Sequence, residues 1–370
     1  MKVLHICNDY CGSKVHSNLF CHLDNIGVKQ LIFTYYRGND KTGKNQFEAK
    51  NTEFVYSGIL KPLHRIFYHK KIKTVYRDLL EHIQPSDFSL CNATTLFSDG
   101  AIAYKLYKDY GIPYIVTVRK TDISEFLTVA PHTWSMGLRV LKNATKIIFI
   151  SKAPMENFCK HFVIKTILNK IKSKFLLQPN GIDNYWLEHI NKNVHTANHN
   201  ILYVGQFDFN KNVVRLINAV SSLRPLYPDI KLHLVGGGGE REKKILGLIN
   251  KNPDFLSYHG KIYDKEKLRE IYSMCSIFAM PSIFETFGLV YIEALSQGLA
   301  VLYSKGQGID GLLNPKVGEA VNALSTDSIE KALVNLIENR DSYNTPGMID
   351  FSQFSWVTIS KRYKDLFESI

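Results

Sequence analysis

The 370-residue chain is short of several things, and each shortage removes a class of answer. Its six cysteines (Cys7, Cys11, Cys21, Cys91, Cys159 and Cys275) never fall in C-x-x-C spacing, so no disulfide framework or zinc ribbon is encoded. His5, His16 and His22 lie near the first three, but the spacing matches no zinc pattern, and buried, reduced thiols are expected. No apolar run approaches the roughly 18 residues that a membrane-spanning helix needs. The opening stretch from Met1 to Cys7 is too short for a signal peptide and reads as a first strand, which points to the cytoplasm. There is no Walker A motif. Gly236 to Gly239 run consecutively, without the spacing or the following acidic residue of a dinucleotide fingerprint. Internal repeats are also missing. With 45% apolar and 22% charged residues, disorder, coiled coil and fibre are excluded.

The first half is also short of acid. Residues 1–180 hold 26 Lys and Arg against 13 Asp and Glu, a net of +13; the remainder holds 20 against 21, a net of −1. A one-sided excess points to an anionic partner for that half: nucleic acid, a membrane surface or a phosphorylated substrate. Residues 41–80 carry nine Lys and Arg interleaved with Ile59, Leu60, Leu63, Phe67 and Tyr68. Residues 142–174 carry eight Lys against Glu156 alone. A basic, aromatic-bearing helix can lie on an anionic membrane.

What is present alternates. Strands are expected at Val3–Cys7, Gln30–Tyr35, Phe88–Cys91, Tyr114–Val118 and Lys146–Ile150, with helices between them. Residues 37–52 read as a loop, and apolar spacing from Ile59 to Ile83 reads as a helix. A polar stretch, Asn191 to Asn200, follows the turn cluster Gln178–Asp183 and marks a domain boundary. The pattern then restarts, with strands near Asn200–Val204, Lys231–Val235, Phe255–Tyr258, Ile277–Met280 and Ala300–Tyr303. Helices are expected at Val213–Leu223 and Phe287–Gln297. Such alternation predicts two parallel sheets, each covered on both faces, with ligands at the carboxyl ends of their strands.

The densest motif is Pro281-Ser282-Ile283-Phe284-Glu285-Thr286-Phe287-Gly288-Leu289, followed by Glu293 and Ala294. Glu285 stands before a helix whose unpaired first-turn N–H groups suit a phosphate, and Gly288 lets a ligand approach the backbone. Glu293, about two turns in, could accept from vicinal hydroxyls. Tyr203-Val204-Gly205-Gln206 leads to Lys211, which could neutralise a diphosphate. Gly236 and Gly237 open a third phosphate-compatible loop.

In this order the elements resemble glycosyltransferase family 4, retaining enzymes of the GT-B fold, over most of the chain. The paired-glutamate frame P-S-x-x-E-x-F-G-L-x-x-x-E-A is the specific part. The resemblance implies an α/β protein of two Rossmann-like, doubly wound domains facing across a cleft. Residues 1–183 would bind acceptor and 184–352 the donor, while 353–370 would form a helix returning to the first domain, with Trp356 as packing. It implies that Glu285 contacts the donor sugar and Glu293 the ribose. The Phe287-Gly288-Leu289 backbone would meet sugar and phosphates, and Gly205, Gln206 and Lys211 would clamp the diphosphate. Two positions depart from the family. Gln206 stands where an Arg is usual, and Arg119, with Asp122 close by, stands where a His commonly points at the sugar. Gly12 replaces a glycine pair in the early loop and, with Arg119 and Asp122, is a candidate for phosphate or acceptor.

The implied reaction moves a sugar from a nucleoside diphosphate donor of UDP or GDP type to an acceptor hydroxyl with retention. No covalent nucleophile stands out, and no metal or other cofactor is expected. A lipid-linked or polyanionic acceptor on the inner face of the cytoplasmic membrane fits the basic half, as in bacterial surface polysaccharide assembly. A nucleic-acid binder would leave the glutamate frame unexplained. A GT-B epimerase, a phosphorylase and a non-catalytic sugar-nucleotide binder are the other readings.

Overall fold

The computed structural model describes residues 1–191, 198–313, 317–343, 347 and 349–370. Residues 192–197 of the polar boundary stretch therefore lie outside the described residues. The chain divides into two compact units. Met1–Ile150, Pro154–Gly181 and Gln353–Ile370 form the first, and Ser151–Ala153 with Ile182–Ser352 the second.

In the first unit the strands are β1 (Lys2–Ile6), β2 (Lys29–Arg37), β3 (Thr52–Leu60), β4 (Leu90–Ala93), β5 (Tyr114–Val118), β6 (Lys146–Phe149) and β7 (Phe175–Leu177). They make one parallel sheet in the order β3-β2-β1-β4-β5-β6-β7. In the second unit β8 (Asn200–Gly205), β9 (Lys231–Gly236), β10 (Leu256–Tyr258), β11 (Ile277–Ala279), β12 (Ala300–Ser304) and β13 (Gly318–Val321) are ordered β10-β9-β8-β11-β12-β13, again parallel. Central strands such as Tyr114–Val118 are buried at every position, because both faces of a parallel sheet are covered. Both sheets reverse direction of growth beside their first strand, the arrangement of a doubly wound dinucleotide-type fold.

Three strands were not expected, and all three are edges. β3 occupies the end of the supposed loop and the start of the supposed helix at 59–83. Ile59 and Leu60 finish the strand, Pro62 opens a short 3-10 turn to Arg65, and the helix begins only at Tyr68 and ends at His82. Pro has no N–H for a ladder or helix interior, so the chain turns there. β7 and β13 are three and four residues long, too short for a period to register. The helix expected from Phe287 begins at Leu289 and ends at Ser296. Cys7, Cys11, Cys91 and Cys275 are buried; Cys21 and Cys159 are partly exposed, and all six are unpaired.

The helix Trp356–Glu368 belongs to the first unit, where Trp356, Ile359, Tyr363 and Phe367 join a core with Val3, Phe20 and Ile148. Ser355 caps it by accepting from the Val357 N–H. Gly181 is required beside Trp356, since a Cβ there would lie 2.5 Å from the indole. Trp356 is thus packing. No helix among the described residues is long and apolar enough to cross a membrane.

Candidate active site

In a doubly wound sheet the ligand crevice lies beyond the carboxyl ends of the strands where the order reverses. In the second unit that point is between β8 and β11. The loop after β8 and the loop after β11 are sewn together by asparagines. The Ile283 N–H donates to the Asn210 carbonyl at 2.8 Å, and the Phe284 N–H to Asn210 Oδ1 at 3.0 Å. Asn210 Nδ2 returns a bond to the Phe284 carbonyl at 3.0 Å. Asn212, at φ +61°, holds a left-handed turn that Asn tolerates and donates to the carbonyls of Pro281 and Ala323. The Lys211 N–H donates to Asp208 Oδ1 at 2.7 Å. This stitching brings Lys211 Nζ to 2.7 Å from Glu285 Oε2, with the two side chains 23% and 14% exposed.

Glu285 is held from the other side by the loop after β12. Its N–H donates to Gln307 Oε1 at 3.2 Å, and its carbonyl accepts from the Gly308 N–H at 2.8 Å. Gly308 is at φ +52°, which disfavours other residues, and a Cβ there would crowd Glu285 Cγ at 3.1 Å. Gly288 starts the helix Leu289–Ser296 at φ +74°, and a Cβ there would strike the Tyr291 ring at 2.5 Å. Phe287 is 2% exposed, so its side chain is core and only its backbone is available to a ligand. The crevice thus pairs one cation with one carboxylate at a helix start, a setting for a phosphate beside a hydroxylated ring.

The four glycines have a backbone explanation that spacing did not supply. A Cβ on Gly236 would sit 1.8 Å from the Gly205 carbonyl oxygen. The Phe207 N–H donates to the Gly238 carbonyl at 3.0 Å. Gly236 and Gly237 therefore pack the loop after β9 directly on Gly205 and its neighbours. Gln206 is exposed, and its carbonyl accepts from the Tyr203 hydroxyl at 2.6 Å.

Glu293 stands apart from the Lys211–Glu285 pair, in the company of Asp183 and Lys265. Burial pushes its carboxyl up to about 7, Asp183 pushes the same way, and Lys265 opposes. Lys265 Nζ lies 2.6 Å from Asp183 Oδ2. Among the described residues no group of three or more His, Cys, Asp and Glu is arranged to hold a metal.

The corresponding point of the first unit lies beyond β1 and β4. Asp122 is fully buried and acts as a clamp: its two oxygens accept from the N–H groups of Leu96, Phe97 and Arg119 at 3.0, 3.1 and 2.8 Å. Burial raises its carboxyl to about 6 against those hydrogen bonds and the charge of Arg119. The link from Asp122 to Arg119 thus runs through the Arg119 backbone. The Arg119 side chain donates from Nε to the Thr94 carbonyl at 3.3 Å. Burial raises the Asp9 carboxyl, with Arg119 and Lys41 pulling the other way. Gly12 follows this Asp9, and a Cβ on Gly12 would fall 2.2 Å from Asp9 Oδ1. Asp9, Asp208, Asn210, Asn212, Gln307 and Gly308 are the site-building residues that the motif reading did not single out.

The sequence of residues 187–348 matches the model of the glycosyl transferases group 1. Residues 187–348 are a group 1 glycosyltransferase domain. The lipopolysaccharide 1,2-N-acetylglucosaminetransferase of Salmonella typhimurium is 27% identical over 181 residues, 45% of this chain and 47% of that protein. The match therefore spans about half the length of that curated relative. Likeness of fold covers the whole chain. A sucrose-phosphate synthase from Thermosynechococcus elongatus superposes with TM-score 0.74 at 19% identity, over 100% of this chain and 98% of that one. HepE of Anabaena in complex with UDP gives 0.73 at 16%, over all of both chains. The architecture is GT-B, and the group 1 domain contains the Lys211–Glu285 pair, Glu293 and both glycine loops.

Proposed function

We propose that the protein is a retaining hexosyltransferase that moves a sugar from a UDP- or GDP-sugar to an acceptor hydroxyl. Its setting is bacterial surface polysaccharide assembly (capsule, exopolysaccharide or lipopolysaccharide), as a peripheral protein on the inner face of the cytoplasmic membrane. The carrying observation is the Lys211–Glu285 pair at the reversal point of the donor sheet, beside a helix that starts at Gly288. The lipopolysaccharide transferase relative and the UDP complex of HepE support the polymer and the donor class.

The chemical problem is a departing diphosphate and a sugar carbon gaining positive charge. Lys211 leaves Glu285 for the diphosphate and neutralises the charge that grows as the bond from the anomeric carbon to the phosphate oxygen breaks. The backbone N–H groups around Leu289 add the positive end of a helix. Glu285 accepts from sugar hydroxyls and fixes the ring, with its own main chain held by Gln307 and Gly308. The acceptor oxygen bonds to the anomeric carbon on the face the phosphate leaves, and its proton passes to the departing phosphate oxygen. Glu293, when ionised, accepts from the ribose hydroxyls. Arg119 and Gly12 serve the acceptor side.

Thermal shift with UDP-, GDP- and ADP-sugars reads the donor, because a ligand that binds the folded state raises the midpoint. A shift with one UDP- or GDP-sugar is expected, followed by an acceptor-dependent product whose anomeric coupling in proton NMR matches the donor. An inverted product, or conversion of the nucleotide sugar without acceptor, overturns the reading.

A further inference from the structure

Five of the large apolar side chains that the first unit leaves exposed are Leu63, Ile66, Phe67, Val129 and Phe162, at 55%, 71%, 52%, 73% and 64%. They come from three distant stretches of sequence, and ring contacts of neighbouring aromatics tie those stretches together. Phe67 precedes Tyr68, whose ring lies 6.3 Å from those of Phe126 and His132. Trp134 donates from Nε1 to the Phe126 carbonyl at 3.1 Å and meets the Phe162 ring edge-on at 5.3 Å. Buried Tyr68 with half-buried Phe126 and Trp134 forms a ledge, and the five exposed side chains belong to the segments that it joins. Cations border both ends: Lys61, Arg65, Lys70 and Lys73 at one, Lys160 and Lys165 at the other, all exposed. The two basic stretches of the sequence therefore share one aromatic ledge.

A solvated basic face would not carry unpaired Ile and Phe at its most exposed points, and a nucleic-acid face would carry aromatics flat rather than branched aliphatics. Aliphatic and aromatic tips surrounded by Lys and Arg match an anionic bilayer, whose acyl boundary takes the tips and whose headgroups take the charges. The ledge also begins at the candidate acceptor loop. Asp122, the clamp beside Arg119, is the first residue of the π-helical turn Asp122–Leu127 that contains Phe126.

We infer that the first unit seats on an anionic lipid bilayer through this ledge, with Ile66, Phe67 and Phe162 in the acyl boundary, and receives a lipid-linked acceptor along it at Arg119. The seating stands on the surface alone; the acceptor step rests on the proposed transferase function.

Co-sedimentation of the full chain with phosphatidylglycerol-rich and with phosphatidylcholine vesicles tests it. Binding to the anionic vesicles alone is expected. Ile66→Glu and Phe162→Glu are each expected to weaken it by about tenfold or more. Leu226→Glu, at an apolar residue of the second unit that is 69% exposed, is expected to leave it unchanged. Equal binding to both vesicle types, loss by Leu226→Glu as large as by Ile66→Glu, or competition by duplex DNA at equal charge overturns the ledge. The nucleotide-sugar thermal shift of Ile66→Glu should equal that of the parent. Vesicle binding without any such shift in the parent would leave the ledge standing and remove the transferase function.

Discussion

The two sheets reverse order beside their first strands, but the corners at those points are built from opposite materials. Beyond β8 and β11, Lys211 and Glu285 face one another as a partly exposed ion pair, while asparagines and glycines fix the main chain around them. Beyond β1 and β4 the carboxylate is fully buried, and Asp122 spends its oxygens on three backbone N–H groups. One corner keeps its ion pair partly exposed and leaves most of the structure to neutral residues, with Asp208 holding the Lys211 N–H. The other uses its charge as structure, with Asp122 on three backbone N–H groups and Arg119 Nε on the Thr94 carbonyl. Changes of charge at the first corner should therefore appear in catalysis, and at the second in stability.

The largest effect tests the first half of that contrast. Lys211→Ala should lower kcat by about 10² to 10³-fold, the range for removing one donor to a developing anion. Glu285→Gln should fall in the same range if it positions the sugar in the transition state. The midpoint of chemical denaturation should move little, by about 1 kcal/mol or less, because the pair is partly solvated. Steady-state rates and urea titrations of the same samples decide it. A variant that loses stability and activity together would make this corner structural too.

Asp122→Asn should show the reverse, a loss of about 1–3 kcal/mol at neutral pH. The amide offers one acceptor oxygen to three N–H donors and turns its NH₂ toward the rest. The pH dependence has a definite sign. The folded carboxyl titrates at about 6 against an ordinary 3.8, so between those values the folded state binds the extra proton. Its contribution is fullest below 3.8 and is lost as pH rises through 6. Urea midpoints of the parent should carry that falling component, and those of the variant should lack it.

How far these corners were legible differs for the same reason. The glutamate frame and Lys211 are local patterns on strand-to-helix turns, and the structure places the pair in contact. Asn210 and Asn212 lay inside the same segment, but their bonds go to a loop about 70 residues away, which no spacing announces. Gln307 and Gly308 belong to a loop without any motif. The central strands were legible because both faces are apolar; of the edges, β3 is only half-buried, and β7 and β13 are three and four residues long. Asp122 was named for its nearness to Arg119, and only the fold reveals that its partners are backbone.

Glu293 supplies the finest test, since it is a carboxylate of the second unit in a setting that, as for Asp122, burial makes unfavourable to charge. Burial pushes its carboxyl up to about 7, and the proposed bonds from ribose hydroxyls require it ionised. Donor affinity should therefore be constant above pH 8 and weaken as pH falls below 7, approaching about tenfold per unit, or about 1.4 kcal/mol. A bound donor stabilises the ionised form, so binding below pH 7 should also release protons. Glu293→Gln should flatten the profile at a uniformly weaker Kd while leaving the Lys211-dependent kcat in place. Calorimetric titrations in two buffers of different ionisation enthalpy read both quantities. A parent profile that stays flat from pH 8 to 6 would mean that Glu293, like Asp122, is a carboxylate serving the fold.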